Sequence, residues 1–356
     1  MAERYRKKNY RVRYDRIICV LAILLVLIFM LVSCVSGCAN KKPNTNDPLQ
    51  DGLSTGESTA GTDAQGNPVG TLPAATEPPA ISYATTQLDE EDMHKGNLVL
   101  MNDDYDCEFV HEAIESGSSN AVNLVTIQSI LAQKSKPLPY TAKDWEVGLD
   151  KEAAYAMDAW LSDFYAQGGN NDVRMIAGYR TDSQDLDFHT GRTLTLGIYP
   201  ENSGSWVYKN EGSFSWIAEH AHEYGFVQRY PEGKENYFSE NITDRTSGTF
   251  RYVGVAAATY MAENNECLEE YLNTVKSYTI DKMLEIKTDT AKYGVYYVPM
   301  NASGSTSFSV PSGGTPYEIS GNNMDGYVVT VTLSGSPAVT MPTEAPTEAD
   351  TTEAAE

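Results

Sequence analysis

Apolar residues recur at helical spacing from Asp150 to Gln167, where Ala153, Met157, Trp160, Leu161 and Phe164 share one stripe. Asp150 supplies an N-cap oxygen and Gly168-Gly169 a stop, so the pattern predicts a helix over 150–167. The period then shortens to two. Val173–Gly178 and Thr193–Tyr199 read as strands; in the second, Leu194, Leu196 and Ile198 alternate with Thr193, Thr195 and Gly197. Phe214–Tyr224 returns to helical spacing and ends at Gly225. Phe226–Tyr230 and Phe250–Val253 read as strands, and Val255–Val275 as a helix broken near Asn264-Asn265. From Tyr293 onward every apolar run is strand-like: "YGVYYVPM", "SFSVP", "YEIS" and "GYVVTVTL", with a turn at Asp325-Gly326. The expected fold is α+β with a small C-terminal all-β extension, and no fixed-period repeat is present.

The two ends follow other rules. Residues 1–16 carry seven Lys or Arg and two acids, and Ile17–Val35 then runs without a charge. Nineteen residues at about 1.5 Å each nearly span a hydrocarbon core of roughly 30 Å, and basic residues on the N-terminal side keep that end in the cytoplasm. The expectation is a single-pass signal anchor in the cell membrane with the bulk of the chain extracytoplasmic. The alternative is a lipoprotein, because "LVSC" (Leu31–Cys34) and "VSGC" (Val35–Cys38) both resemble an acylation site. Residues 39–94 are rich in Thr, Pro, Gly and Ser and read as a flexible linker. Residues 95–278 form the main domain, 279–335 the β-rich extension, and 336–356 an acidic disordered tail.

Charge narrows the partners. Of 26 bases and 49 acids, seven and two lie in the first 38 residues, so the remainder carries 19 bases against 47 acids. Nucleic acid is excluded as a partner by simple repulsion. Beyond residue 38 the cysteines are Cys107 and Cys267, which either pair in an oxidising compartment or stand as buried thiols.

Several short motifs occur in a fixed order: "NLVLMN" (Asn97–Asn102), "AGYRT" (Ala177–Thr181), Thr190-Gly191, Trp216-Ile217, Tyr224–Phe226, Arg229–Pro231, Lys234 and "FRYVG" (Phe250–Gly254). In this order and spacing the chain resembles the VanY-type D-alanyl-D-alanine carboxypeptidases, which belong with lysostaphin-like enzymes and the hedgehog fold. The resemblance covers about residues 97–275. It implies that fold, a zinc-dependent hydrolase, and the peptide end of a peptidoglycan stem as substrate.

The family's chemistry requires two His and one Asp on zinc, plus a Glu that takes a proton from metal-bound water, with one coordination position left open. Laid on this chain, the first His position is Phe188, the Asp is Thr195, the Glu is Thr246 and the last His is Thr249. A phenyl ring cannot ligate a metal, and threonine hydroxyls bind zinc too weakly to replace imidazole and carboxylate. A one-residue slip onto His189 would turn the side chain to the other face, and no Asp or Glu lies between Thr190 and Pro200 to serve as second ligand. His220 and His222, two apart on a helix, point to opposite sides.

What survives is a binding frame. The position of Arg180 resembles the family's arginine that grips the substrate, and its fork of donors suits a carboxylate. Tyr179, Gln184 and Thr190 are the other ligand-binding candidates. The reading is a membrane-anchored, catalytically inactive carboxypeptidase-like protein that needs no metal cofactor and binds a peptidoglycan peptide or an envelope protein. The alternative is an active zinc D,D-carboxypeptidase that trims terminal D-Ala.

Overall fold

The computed structural model describes residues 81–107, 110, 122–199, 207–238 and 248–336. Strand β1 (Ser82–Asp89) and a 3-10 turn (Glu90–His94) come first. They are followed by β2 (Leu124–Thr126), α1 (Ile127–Leu131), β3 (Thr141–Ala142), β4 (Gly148–Asp150) and the long helix α2 (Lys151–Ala166). Strands β5 (Val173–Ala177) and β6 (Thr193–Ile198) flank a second 3-10 turn, Leu186–Thr190. Then come α3 (Ser215–His220), β7 (Phe226–Gln228), β8 (Thr249–Tyr252), α4 (Val255–Asn264) and α5 (Leu268–Val275). Strands β9 (Leu284–Lys287), β10 (Ala291–Pro299), β11 (Ser305–Ser312), β12 (Tyr317–Gly321) and β13 (Gly326–Gly335) complete an α+β fold.

The apolar stripe of α2 is buried as its spacing requires. The Asp150 carboxylate accepts a hydrogen bond from the Glu152 amide, satisfying one of the orphan donors of the first turn. Trp160 anchors the core: its ring stacks on Phe226 at 5.1 Å and meets Phe250 edge-on at 5.0 Å. Its indole N–H donates to the Ile217 carbonyl at 3.1 Å, so burial leaves no polar atom of the ring unpaired.

Helix α2 covers a five-stranded sheet of order β3-β5-β6-β8-β7, antiparallel except for the β3–β5 pair. Strand β6 is central in that order, and Thr193 on it is fully buried, its hydroxyl donating to the buried Asp187 carboxylate at 2.6 Å. The segment read as one helix over 214–224 is α3 followed by a 3-10 turn, Ala221–Tyr224, stopped by Gly225 at φ +82°. The break predicted at Asn264-Asn265 is there: Asn265 takes the left-handed conformation, φ 51°, and separates α4 from α5.

The C-terminal strands form a second sheet, β12-β13-β10-β9, against which α4 and α5 bury Met261, Leu268, Leu272 and Val275. One boundary needs correcting. Residues 82–94 fall in the stretch read as linker, yet Ser82–Asp89 is a strand hydrogen-bonded antiparallel to β11. Its pattern is mostly exposed and its partner lies about 220 residues away, so no local period announces it. Cys107 and Cys267 are both buried. Among the described residues no helix is long and apolar enough to cross a membrane. Ile17–Val35, Cys34, Cys38, the linker before residue 81 and the acidic tail after Ser336 lie outside them.

Candidate functional site

The loop that leaves β5 carries the "AGYRT" motif, and its glycine has a steric reason. A Cβ on Gly178 would stand 2.3 Å from the Gly148 carbonyl oxygen of β4, where no side chain fits. That close approach lets the Tyr179 amide donate to the same carbonyl at 2.9 Å, which fixes where Arg180 begins. Arg180 is exposed, and its guanidinium carbon lies 4.4 Å from the centroid of the Phe188 ring. A cation over an aromatic face is attracted by the ring's quadrupole.

Phe188 sits in the Leu186–Thr190 turn, 4% exposed. The turn is closed by Gly191 at φ +67°, the left-handed position for which the Thr-Gly pair is suited. Beneath it Asp187 is fully buried and accepts from Arg229 Nε at 2.9 Å, Arg251 Nη1 at 3.3 Å and Thr193 Oγ1 at 2.6 Å. Arg229 also grips Glu269 through two parallel bonds of 2.9 Å. Burial opposes ionisation of Glu269, but the charge and hydrogen bonds of Arg229 outweigh it and hold the carboxyl below its ordinary value. Arg251 donates further to the Asn97 and Val99 carbonyls at 3.2 and 2.9 Å. The Arg-Tyr-Pro, Phe-Arg-Tyr-Val-Gly and Asn-Leu-Val motifs thus meet in one desolvated ionic cluster.

Strand pairing brings together two of the four positions at which the resemblance implies the zinc ligands and base. Thr195 and Thr249 are directly opposed on β6 and β8, and their hydroxyl oxygens lie 3.4 Å apart. Thr246 lies outside the described residues. The donor set does not fit zinc. Phe188 offers no lone pair, the two hydroxyls face each other, and the Arg180 cation over Phe188 would repel a dication. Among the described residues no group of three or more His, Cys, Asp or Glu side chains could hold a metal.

The other candidates divide between surface and interior. Gln184 is exposed and Tyr179 half-buried, so both can meet a ligand. Thr190 is 4% exposed; its hydroxyl donates to the Asp187 carbonyl at 2.7 Å and accepts from Arg251, which commits it to the buried cluster. His189 is likewise interior, its Nε2 3.1 Å from the Ser183 carbonyl. His220 pairs with Glu223 at 2.7 Å and stacks on Trp216, apart from His222. Asp187 and Glu269 were not singled out in the sequence. The two arginines in otherwise apolar motifs were the available signal, since a buried guanidinium needs carboxylate partners.

No protein-family model matches the chain. It is 32% identical over 259 residues to a D-alanyl-D-alanine carboxypeptidase of Enterococcus faecium, spanning 68% of this chain and 77% of that relative. A second protein of that description, from Enterococcus faecalis strain V583, is 38% identical over 63 residues, 18% of this chain and 22% of its own length. Among solved structures, the fold is similar to the vancomycin-resistance D,D-dipeptidase VanXYg in complex with a D-Ala-D-Ala phosphinate analogue. That match has 23% identity, a TM-score of 0.55, and covers 70% of this chain and 99% of the other.

Proposed function

The chain belongs to the VanY-type D-alanyl-D-alanine carboxypeptidase family, and from that premise we propose that it binds the carboxylate end of a peptidoglycan stem peptide without cleaving it. One observation carries this reading: Phe188, Thr195 and Thr249 place a phenyl ring under a guanidinium and two mutually facing hydroxyls where the family's chemistry needs imidazole and carboxylate. A site of that composition cannot activate water through a metal. It can still hold an anion, because Arg180 is exposed and braced from below by an aromatic face. The bidentate geometry of its guanidinium matches a terminal carboxylate. Tyr179 and Gln184 supply adjacent polar contacts.

The membrane reading rests on sequence. Seven basic residues followed by the uncharged run Ile17–Val35 support an N-terminal anchor with the binding domain on the outer side. An envelope protein ending in a free carboxylate is the other ligand that the same Arg180 fork would accept.

Titration of the purified protein with a peptide ending in D-Ala-D-Ala tests the proposal, alongside its C-terminal amide, with product analysis by mass spectrometry. Saturable binding of the acid, weaker binding of the amide and no released D-Ala are expected. Arg180→Met should remove the preference for the acid. Chelator-sensitive release of D-Ala would establish the active enzyme instead.

A further inference from the structure

Trp145 is 78% exposed, the most open of the large apolar side chains among the described residues. Apolar residues scattered singly over a surface need no explanation. This one is held firmly beside the candidate site, and acids surround it. We propose that Trp145 receives a cationic side chain of the peptide whose terminal carboxylate Arg180 binds, an inference that rests on that reading of Arg180.

The turn that carries Trp145 is pinned on both sides of the ring. Asp144 closes it, its Oδ1 accepting from the Glu146 and Val147 amides at 3.0 Å each. Before the ring, the Lys143 amide donates to the Met175 carbonyl of β5 at 2.9 Å. After it, the Val147 carbonyl accepts from the Ile127 amide at 3.0 Å. A ring on a backbone already fixed loses little freedom when a ligand settles on it, so contact there costs less than on a loose loop.

The same turn runs alongside the segment that ends in Arg180. Thr141 and Ala142 pair parallel with Arg174 and Met175. At its exit, the Gly148 carbonyl accepts from the Tyr179 amide at 2.9 Å, and the Asp150 amide donates to the Gly191 carbonyl at 2.7 Å. Strand β4 therefore touches the Arg180 loop at one end and the turn that carries Phe188 at the other. Trp145 precedes Gly148 by three positions and Arg180 follows Tyr179 by one. At no more than about 3.6 Å per residue, with about 5 Å for the hydrogen-bonded link, their Cα atoms lie within roughly 20 Å. Three extended ligand residues and one long side chain fill a gap of that order, so the cationic residue stands two positions before the terminal one.

Charge decides what the ring holds. Asp144 and Glu146 flank it and Asp182 stands on the Arg180 loop, all three exposed, against Lys143 as the one base of the turn. A second anion is disfavoured there. The indole face is the best of the aromatic faces for an organic cation, and carboxylates at its rim add to the attraction. A lysine-like side chain suits both, with its methylenes on the ring and its ammonium among the acids.

The test is calorimetric titration of the full chain with two acetylated peptides, one ending Lys-D-Ala-D-Ala and one with norleucine in place of the Lys. Tri-N-acetylglucosamine serves as a neutral sugar that could stack on the same ring. The lysine peptide should bind about twofold to fivefold more tightly, the range of an exposed cation–π contact. Trp145→Leu should abolish that ratio without lowering the melting temperature, and Trp145→Tyr should keep part of it. Arg180→Met should weaken both peptides alike and leave the ratio unchanged. Equal affinities in the unaltered protein, a ratio that survives Trp145→Leu, or Trp145-dependent binding of the sugar would each overturn the inference while the Arg180 reading stands. Binding of neither peptide would overturn both.

Discussion

The guanidinium of Arg180 stands 4.4 Å from the centre of the Phe188 ring. On the function proposed above, a residue suited to grip an anionic peptide end is braced by the aromatic ring at the position where the resemblance implies a metal ligand. Phe188→Ala should leave the guanidinium unsupported and weaken peptide-carboxylate binding roughly threefold to fivefold, the size of an exposed cation–π contribution. Affinity for the acid and amide forms of one peptide, compared by titration, checks this.

Rebuilding the metal site should require its members together. Phe188→His alone is expected to bind no zinc, because Thr195 and Thr249 still present hydroxyls 3.4 Å apart. The triple change Phe188→His, Thr195→Asp and Thr249→His should hold zinc after dialysis, measured by elemental analysis. Hydrolysis of a D-Ala-D-Ala peptide should appear only when Thr246→Glu is added. In the unaltered protein, melting curves with and without a strong chelator should coincide, since no ligand set couples folding to a metal.

The Arg229–Glu269 pair should be a main stabilising element of the frame. Removing one member of a buried pair leaves the other charge uncompensated, at a cost of about 3–5 kcal/mol. Glu269→Gln should therefore lower the urea midpoint strongly. Because the folded-state pKa of Glu269 is depressed, its stabilisation is present above the unfolded value of 4.5 and is lost as pH falls through the folded value. The unaltered protein should lose more stability than Glu269→Gln on acidification below about pH 4.5.

Glu318 should act with the opposite sign. Its folded pKa, about 7, lies above the ordinary 4.5, so its contribution is fully present below 4.5 and is lost as pH rises to about 7. Burial and Glu152 are the opposing influences, with Arg192 and the Tyr252 and Tyr293 phenols also facing the site. Water reaches the side chain, so the effect should be small but directional. Glu318→Gln should melt at a higher temperature than the unaltered protein at pH 8 and at nearly the same temperature at pH 4.

Gly191→Ala tests the Thr-Gly turn. A Cβ there would lie 2.5 Å from Val122 Cγ1 on a backbone of φ +67°, so a destabilisation of about 1–3 kcal/mol is expected by chemical denaturation.

Helix α2 was legible within a residue at each end because its stripe, N-cap and glycine stop all agree. The pairing of Thr195 with Thr249 follows once β6 and β8 are neighbours. Harder to read were groups whose role depends on distant residues. Thr190 looked available to a ligand, but the Arg251 contact comes from 61 positions away. Glu152 lies in the first turn of α2 and Glu318 in β12, and only the tertiary fold puts them on the wall of one cavity.

The pairing of β1 with β11 has a further consequence during synthesis. Gln87 leaves the ribosome about 220 residues ahead of its neighbour Ser307. At roughly 5–20 residues per second that is a wait on the order of 10 to 40 s. For that time Ser82–Asp89 has no strand to join, and its backbone donors and acceptors must be served by water. The sheet closes only when nearly the whole unit has emerged, which makes its first-made strand one of the last to be secured.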